Sequence, residues 1–122
     1  MRISLQFDYP PSANRYWRCF RNRMVPSADA TKFKRHVKAV AQLAGCEMTL
    51  ENVVVEVILQ PKLTLKGVAS GTCIDLDNAL KVTLDSLQGI IYENDKQIRK
   101  IVAEYGDPVK GGGLKVIVSW IG

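Results

Sequence analysis

Val53-Val54-Val55-Glu56-Val57-Ile58-Leu59 is the stretch on which the fold turns. It is rich in β-branched residues, which fit a pleated strand better than a helix. A near-continuous apolar run of this length reads as a central strand, and Pro61 ends it. Toward the N-terminus, Ser27 can cap a helix from about Ala28 to Ala44. Ala30, Phe33, Val37, Val40, Ala41 and Ala44 recur there at helical spacing, and Gly45 is suited to stop it. Lys34, Arg35 and Lys38 lie mostly off that apolar face. Earlier still, Ile3, Leu5 and Phe7 alternate with polar residues, as in a strand with one buried side.

Beyond Pro61, a loop to Cys73 leads to a second helix, with Asp77 as its N-cap and its end near Gln88. Leu80, Val82 or Thr83, Leu84 and Leu87 form its apolar face, and Gly89 its C-terminal cap. Gln97–Tyr105 and Leu114–Trp120 read as closing strands, with Lys110-Gly111-Gly112-Gly113 as a hairpin turn. The expected fold is therefore one α+β domain over residues 1–122. It has a mixed sheet and two helices in the order β-α-β-α-β-β. Pro10 to Pro26 is left as a long loop, and loops of that length are often functional.

Charge sharpens the reading. The net formal charge is +5, from 17 basic and 12 acidic residues. Arg15, Arg18, Arg21, Arg23, Lys32, Lys34, Arg35 and Lys38 face a single acid, Asp29, in the same segment, whereas acids predominate from Asp75 to Asp107. A basic first half beside an acidic later one suits a phosphate-gripping surface next to a metal centre. No apolar run reaches the length of a membrane helix, and the first residues read as a strand, not as a signal peptide; the expectation is a cytoplasmic protein with no membrane partner. Cys19, Cys46 and Cys73 are widely spaced and His36 is the only histidine, so free thiols are expected in place of a zinc site.

The chemistry concentrates in Asp75-Leu76-Asp77-Asn78-Ala79-Leu80-Lys81, followed by Asp85, Gly89 and Glu93-Asn94-Asp95. Two carboxylates two residues apart crowd negative charge at one helix start, and a cation relieves that repulsion. Hard ions such as Mg²⁺ take oxygen ligands and keep several waters, so few carboxylates suffice. A nearby lysine adds positive charge where a phosphate develops more negative charge. The plainer readings are helix capping for one Asp and an i, i+4 ion pair for Lys81 with Asp77 or Asp85, worth about 0.3–0.5 kcal/mol. For the loop, Arg15, Arg18, Arg21 and Arg23 suit phosphate contacts. Tyr16 and Trp17 either stack on bases or pack on the core.

These motifs resemble the RusA family of Holliday junction resolvases, which is common in phages and prophages. The resemblance rests on Asp75, Asp77, Asn78, Lys81, Asp85 and Gly89 and on Asp95-Lys96-Gln97-Ile98. It also takes in Pro10-Pro11-Ser12-Ala13-Asn14-Arg15-Tyr16 and Lys110-Gly111-Gly112-Gly113-Leu114. It implies a homodimeric endodeoxyribonuclease of recombination and repair that uses Mg²⁺, with Mn²⁺ as the alternative ion, to make paired nicks in four-way DNA junctions. The family's metal ligands fall on Asp75, Asp77 and Asp95, and its essential lysine on Lys81. Asn14, Arg15, Arg18, Arg21 and Arg23 are the expected DNA contacts, with Asn78 and Asp85 supporting the site. Two departures stand out. Asn94 occupies a place where relatives often carry an acid, and Ala69 to Ile74 is not basic where relatives are often arginine-rich. The alternatives are a catalytically silent DNA-binding protein of the same fold and a metal enzyme acting on a small phosphorylated substrate.

Overall fold

The computed structural model describes residues 1–71 and 73–120. Thr72, in the non-basic segment before Asp75, lies outside the described residues. Four strands form the main sheet: β1 (Arg2–Phe7), β4 (Val53–Gln60), β5 (Ile98–Tyr105) and β6 (Gly113–Trp120), in the order β1-β6-β4-β5. β4 runs parallel to β5 and antiparallel to β6, and β1 pairs antiparallel with β6. The sheet is mixed, as its sequence implied.

The central position of β4 follows from its composition. Val53, Val55, Val57 and Leu59 are each at most 1% exposed and form one face of the strand. A strand this deeply buried must have its backbone N–H and C=O groups paired on both edges. β5 and β6 therefore flank it and do not pair with each other. This corrects the hairpin expected at Lys110–Gly113. That segment belongs to a crossover past the end of β4, tied there by Gly106 N–H to the Leu59 carbonyl and Val109 N–H to the Pro61 carbonyl, both 2.9 Å.

α2 (Ala28–Leu43) and α3 (Leu76–Leu87) supply Phe33, Val37, Ala41, Ala79, Val82 and Leu87 to the core. Ser27 caps α2, accepting from Ala30 N–H at 3.1 Å. Gly45, at φ 71°, closes its C-terminus with the paired bonds Cys46 N–H to Ala41 and Gly45 N–H to Gln42. α3 is the crossover between the parallel strands β4 and β5, so it runs antiparallel to both. Its start lies at their C-terminal ends and its end at their N-terminal ends.

The supposed loop from Pro10 to Pro26 is structured. It holds a one-turn helix α1 (Ala13–Tyr16) and a hairpin of β2 (Trp17–Phe20) and β3 (Arg23–Pro26). The two-residue turn is Arg21-Asn22, with φ 51° and 62°. Positive φ at both turn positions matches the twist of paired strands. Arginine is an uncommon residue there, so the sequence carried only Asn22 as a signal.

Candidate active site

The N-cap of α3 is Asp75, not Asp77: Asp75 has extended backbone (φ −68°, ψ 150°) and Asp77 falls in the first turn. The Asp75 carboxylate makes no capping hydrogen bond. Both aspartates are exposed. The plainer capping role is thus not taken up, and among the described residues neither carboxylate joins an ion pair.

The backbone just before them is held from two sides. Ile74 N–H donates to the Tyr9 oxygen at 3.0 Å, and the Tyr105 hydroxyl donates to the Ile74 carbonyl at 3.1 Å. Tyr9 also donates to Cys73 Sγ at 3.4 Å. Burial, together with that Cys73 contact, pushes the Tyr9 phenol up to about 12. The Tyr105 phenol is raised by desolvation and by the negative charges of Cys73, Asp75 and Asp77. Neither tyrosine was singled out in the sequence; only the fold brings the ends of β1 and β5 to this point.

Lys81 is exposed one turn after Asp77. Among the described residues it forms no ion pair with Asp77 or Asp85 within 4.0 Å; the pair found there is His36 with Asp8, at 3.7 Å. Its ammonium is free to meet a ligand. Asn78 is half-buried in the first turn of α3.

Asp85 is committed elsewhere. Its Oδ2 accepts a short hydrogen bond from the hydroxyl of Tyr16, whose oxygen also lies 3.3 Å from Ser86 Oγ. Burial first, and the Asp85 contact second, pushes the Tyr16 phenol up to about 12. Asp85 therefore ties α1 to α3.

Asp95 opens a 3₁₀ turn (Asp95–Gln97) that leads into β5. Asn94 Oδ1 accepts from Lys96 N–H at 2.9 Å, so the amide in place of an acid serves as the cap of this turn. Gln97 Oε1 accepts from Glu93 and Asn94 N–H, both at 2.9 Å. Gln97 Nε2 donates to the Thr49 and Glu51 carbonyls at 2.9 and 2.8 Å. The Asp-x-Gln box is thus a rigid mount with an exposed carboxylate at its front.

That mount is at the wrong end for a site closed within one chain. β5 leads from Ile98, beside Asp95, to Tyr105, beside Ile74. Seven residue steps of a strand span about 23 Å. The twelve residues of α3 separate the same two ends by about 18 Å. Among the described residues, no group of three His, Cys, Asp or Glu side chains is placed to hold a metal ion. Within the single chain Asp75 and Asp77 share one helix start, and Asp95 lies at the other end of β5.

Asn14, Arg15, Arg18, Arg21 and Arg23 are all exposed, on α1 and the hairpin. Arg15, Lys32 and Lys62 share an open cleft of about 660 Å³ with the acids Asp8 and Asp29, beside Ile74, the residue preceding Asp75. The Lys62 amine lies 5.0 Å from the Tyr9 ring centre. Lys34, Arg35 and Lys38 line a second groove of about 650 Å³ against Asp85. All three cysteines are free.

Residues 8–119 match the profile of the family described as Endodeoxyribonuclease RusA. The chain belongs to the RusA family. The match takes in α1, the hairpin, both long helices and the Asp95 turn. A RusA relative, the crossover junction endodeoxyribonuclease of Enterobacteria phage HK97, is 29% identical over 115 residues, covering 91% of this chain and 88% of that protein. Among the described residues no helix is long and apolar enough to cross a membrane.

Proposed function

We propose that this RusA family chain is a divalent-metal-dependent endodeoxyribonuclease that resolves four-way DNA junctions by paired nicks. One observation carries the reading: Asp75 and Asp77 are exposed at one helix start and, among the described residues, join no ion pair, with a free Lys81 one turn away.

The donor set suits Mg²⁺ or Mn²⁺, because such ions are held by one or two carboxylates, waters and substrate phosphate. Asp75 and Asp77 would hold the ion, and once bound it lowers the pKa of water and offsets charge on the phosphate. Arg15, Lys32 and Lys62 hold the DNA backbone in the adjoining cleft. Tyr9 and Tyr105 fix the Ile74 backbone and so the direction in which Asp75 leaves it. Lys81 meets the negative charge that builds on the phosphate oxygens as the bond breaks.

The active unit is a homodimer. A single chain keeps Asp95 about 20 Å from the helix start, along the length of β5. A partner related by a two-fold axis perpendicular to β5 runs antiparallel to it and can bring its own Asp95 to the first copy's Asp75 and Asp77. Two such sites per dimer cut two strands.

The test is nicking of a four-way junction labelled on each strand in turn, with Mg²⁺ and with EDTA. Paired nicks that need Mg²⁺ are expected. Tight junction binding without nicking under any divalent ion would favour the silent DNA-binding protein.

A further inference from the structure

The β2–β3 hairpin is a finger with an aromatic ring near its tip. Trp17 pairs with Pro26 at its base and Phe20 with Arg23 at its end, closed by Arg21 and Asn22. Among the described residues its two strands join no larger sheet. The base is firmly held. Ser27 N–H donates to the Tyr16 carbonyl at 2.8 Å and the Ser27 hydroxyl to the Arg15 carbonyl. The Tyr16 ring meets the Trp17 ring edge-on at 4.5 Å, and the Tyr16 hydroxyl reaches Asp85 on α3.

The three aromatics of this segment part company here. Tyr16 is buried and Trp17 is half-buried against the core, whereas Phe20 stands clear of it. Phe20 is 49% exposed and is not among the residues packed on the core. Arg18 and Arg21 hold their guanidinium groups 5.4 and 5.3 Å from its ring centre. Between Pro10 and Ala28 the chain carries four arginines and no acid. An apolar ring on a cationic finger anchored at its base calls for an occupant that is both polyanionic and aromatic. Nucleic acid with an accessible base fits both demands; an acidic protein surface meets only the first.

We propose that Phe20 is a wedge that stacks on an unpaired base at the branch point, while Arg18, Arg21 and Arg23 hold the phosphates around it. This deepens the junction reading and rests on it. Bases inside a continuous duplex are stacked on both faces and offer no room for a ring. A branch point does, and aromatic insertion distorts DNA at such steps. The hairpin therefore supplies preference for branched over plain DNA, a property the phosphate contacts alone do not carry. Because Tyr16 links the finger's base to α3, the wedge is held at a fixed distance from the carboxylates.

The experiment compares wild type, Phe20→Ala, Phe20→Trp and Arg18→Ala/Arg21→Ala. Affinity is measured for a four-way junction and for a duplex of equal length over a salt series, with Ca²⁺ replacing Mg²⁺. Permanganate reactivity reports unstacked thymines at the branch point. Phe20→Ala is expected to bind the junction about tenfold more weakly, with duplex affinity and salt slope unchanged and branch-point reactivity reduced. Phe20→Trp should restore both. The double arginine variant should weaken binding to both DNAs and flatten the slope.

The proposal is overturned if Phe20→Ala keeps wild-type junction preference and reactivity. It is equally overturned if that variant loses junction and duplex alike, which is a folding role, or if its loss follows impaired self-association in sedimentation. Wild type that shows no preference for the junction would instead sink the junction reading itself, before any variant is considered.

Discussion

The two ends of α3 treat their acids in opposite ways. At its start, Asp75 and Asp77 are exposed and Asp75 caps nothing. Two turns below Asp77, Asp85 is half-buried and bonded by Tyr16. Both ends bear carboxylates on one helix, yet at the start both are exposed, whereas at the end one oxygen of Asp85 is bonded. The helix dipole favours acids at a helix start, yet among the described residues neither aspartate is met by a cation within 4.0 Å, whereas Asp85 is accounted for by its contact. The contrast separates acids kept for chemistry from an acid kept for structure, and it can be attacked from either side.

The largest effect belongs to the start. Asp77→Asn keeps shape and removes charge; it should cut junctions at least roughly 10³-fold more slowly, about 4 kcal/mol, while binding them nearly as well. Asp85→Asn should keep cutting within a few-fold yet melt earlier. Single-turnover nicking and thermal melts on the same preparations check both. Normal cutting by Asp77→Asn would erase the contrast.

Lys81 comes next. Lys81→Ala should lower the cutting rate roughly 10²-fold, about 3 kcal/mol. Its melting should barely move, since exposed ion pairs contribute under about 1 kcal/mol and this one is not formed. Lys81→Arg should recover part of the rate, because a planar fork replaces a compact ammonium poorly. A large fall in melting temperature with normal cutting would make Lys81 a structural residue.

Gln97→Ala removes four hydrogen bonds around the Asp95 turn and should cost about 2–3 kcal/mol in urea unfolding. The Asp95 carboxylate would lose its mount, so cutting should fall more than binding.

The smallest effect is at the other end of α3. Tyr16→Phe should destabilise by about 1–2 kcal/mol near neutral pH, where the hydroxyl is un-ionised and bonded to Asp85. The folded phenol titrates at about 12 against an ordinary 10, so its contribution is intact below pH 10 and is lost as pH rises toward 12. Between those values the variant should lose stability less steeply than wild type. Equal alkaline slopes would show that Tyr16 is not held by Asp85.

Much of this was legible in the sequence because the signals were local. The β-branched run of β4, the Ser27 cap and the Gly45 stop each specify their element through adjacent residues. The paired aspartates, Lys81 and the Asp95-Lys96-Gln97 box were visible for the same reason. What escaped was set by distance in space. The Arg21-Asn22 turn lacks the glycine that usually announces a hairpin. The separation of β5 from β6 depends on β4 claiming both as neighbours. Tyr9, Lys62 and Tyr105 reach the α3 start from three separate segments. No spacing rule revealed that a crossover helix would hold Asp95 at the far end of the sheet from Asp75.

That separation makes the central claim, a catalytic site shared between two copies, directly testable. Asp77→Asn and Asp95→Asn proteins, each inactive alone, are mixed after unfolding and refolding together, and nicking of a four-way junction is measured with Mg²⁺. In a shared site, each mixed dimer holds one intact set of carboxylates. The mixture should therefore recover roughly a quarter of wild-type nicking, on one strand per dimer. No recovery, with mixed dimers shown to have formed, would contradict the account and place each site wholly within one chain.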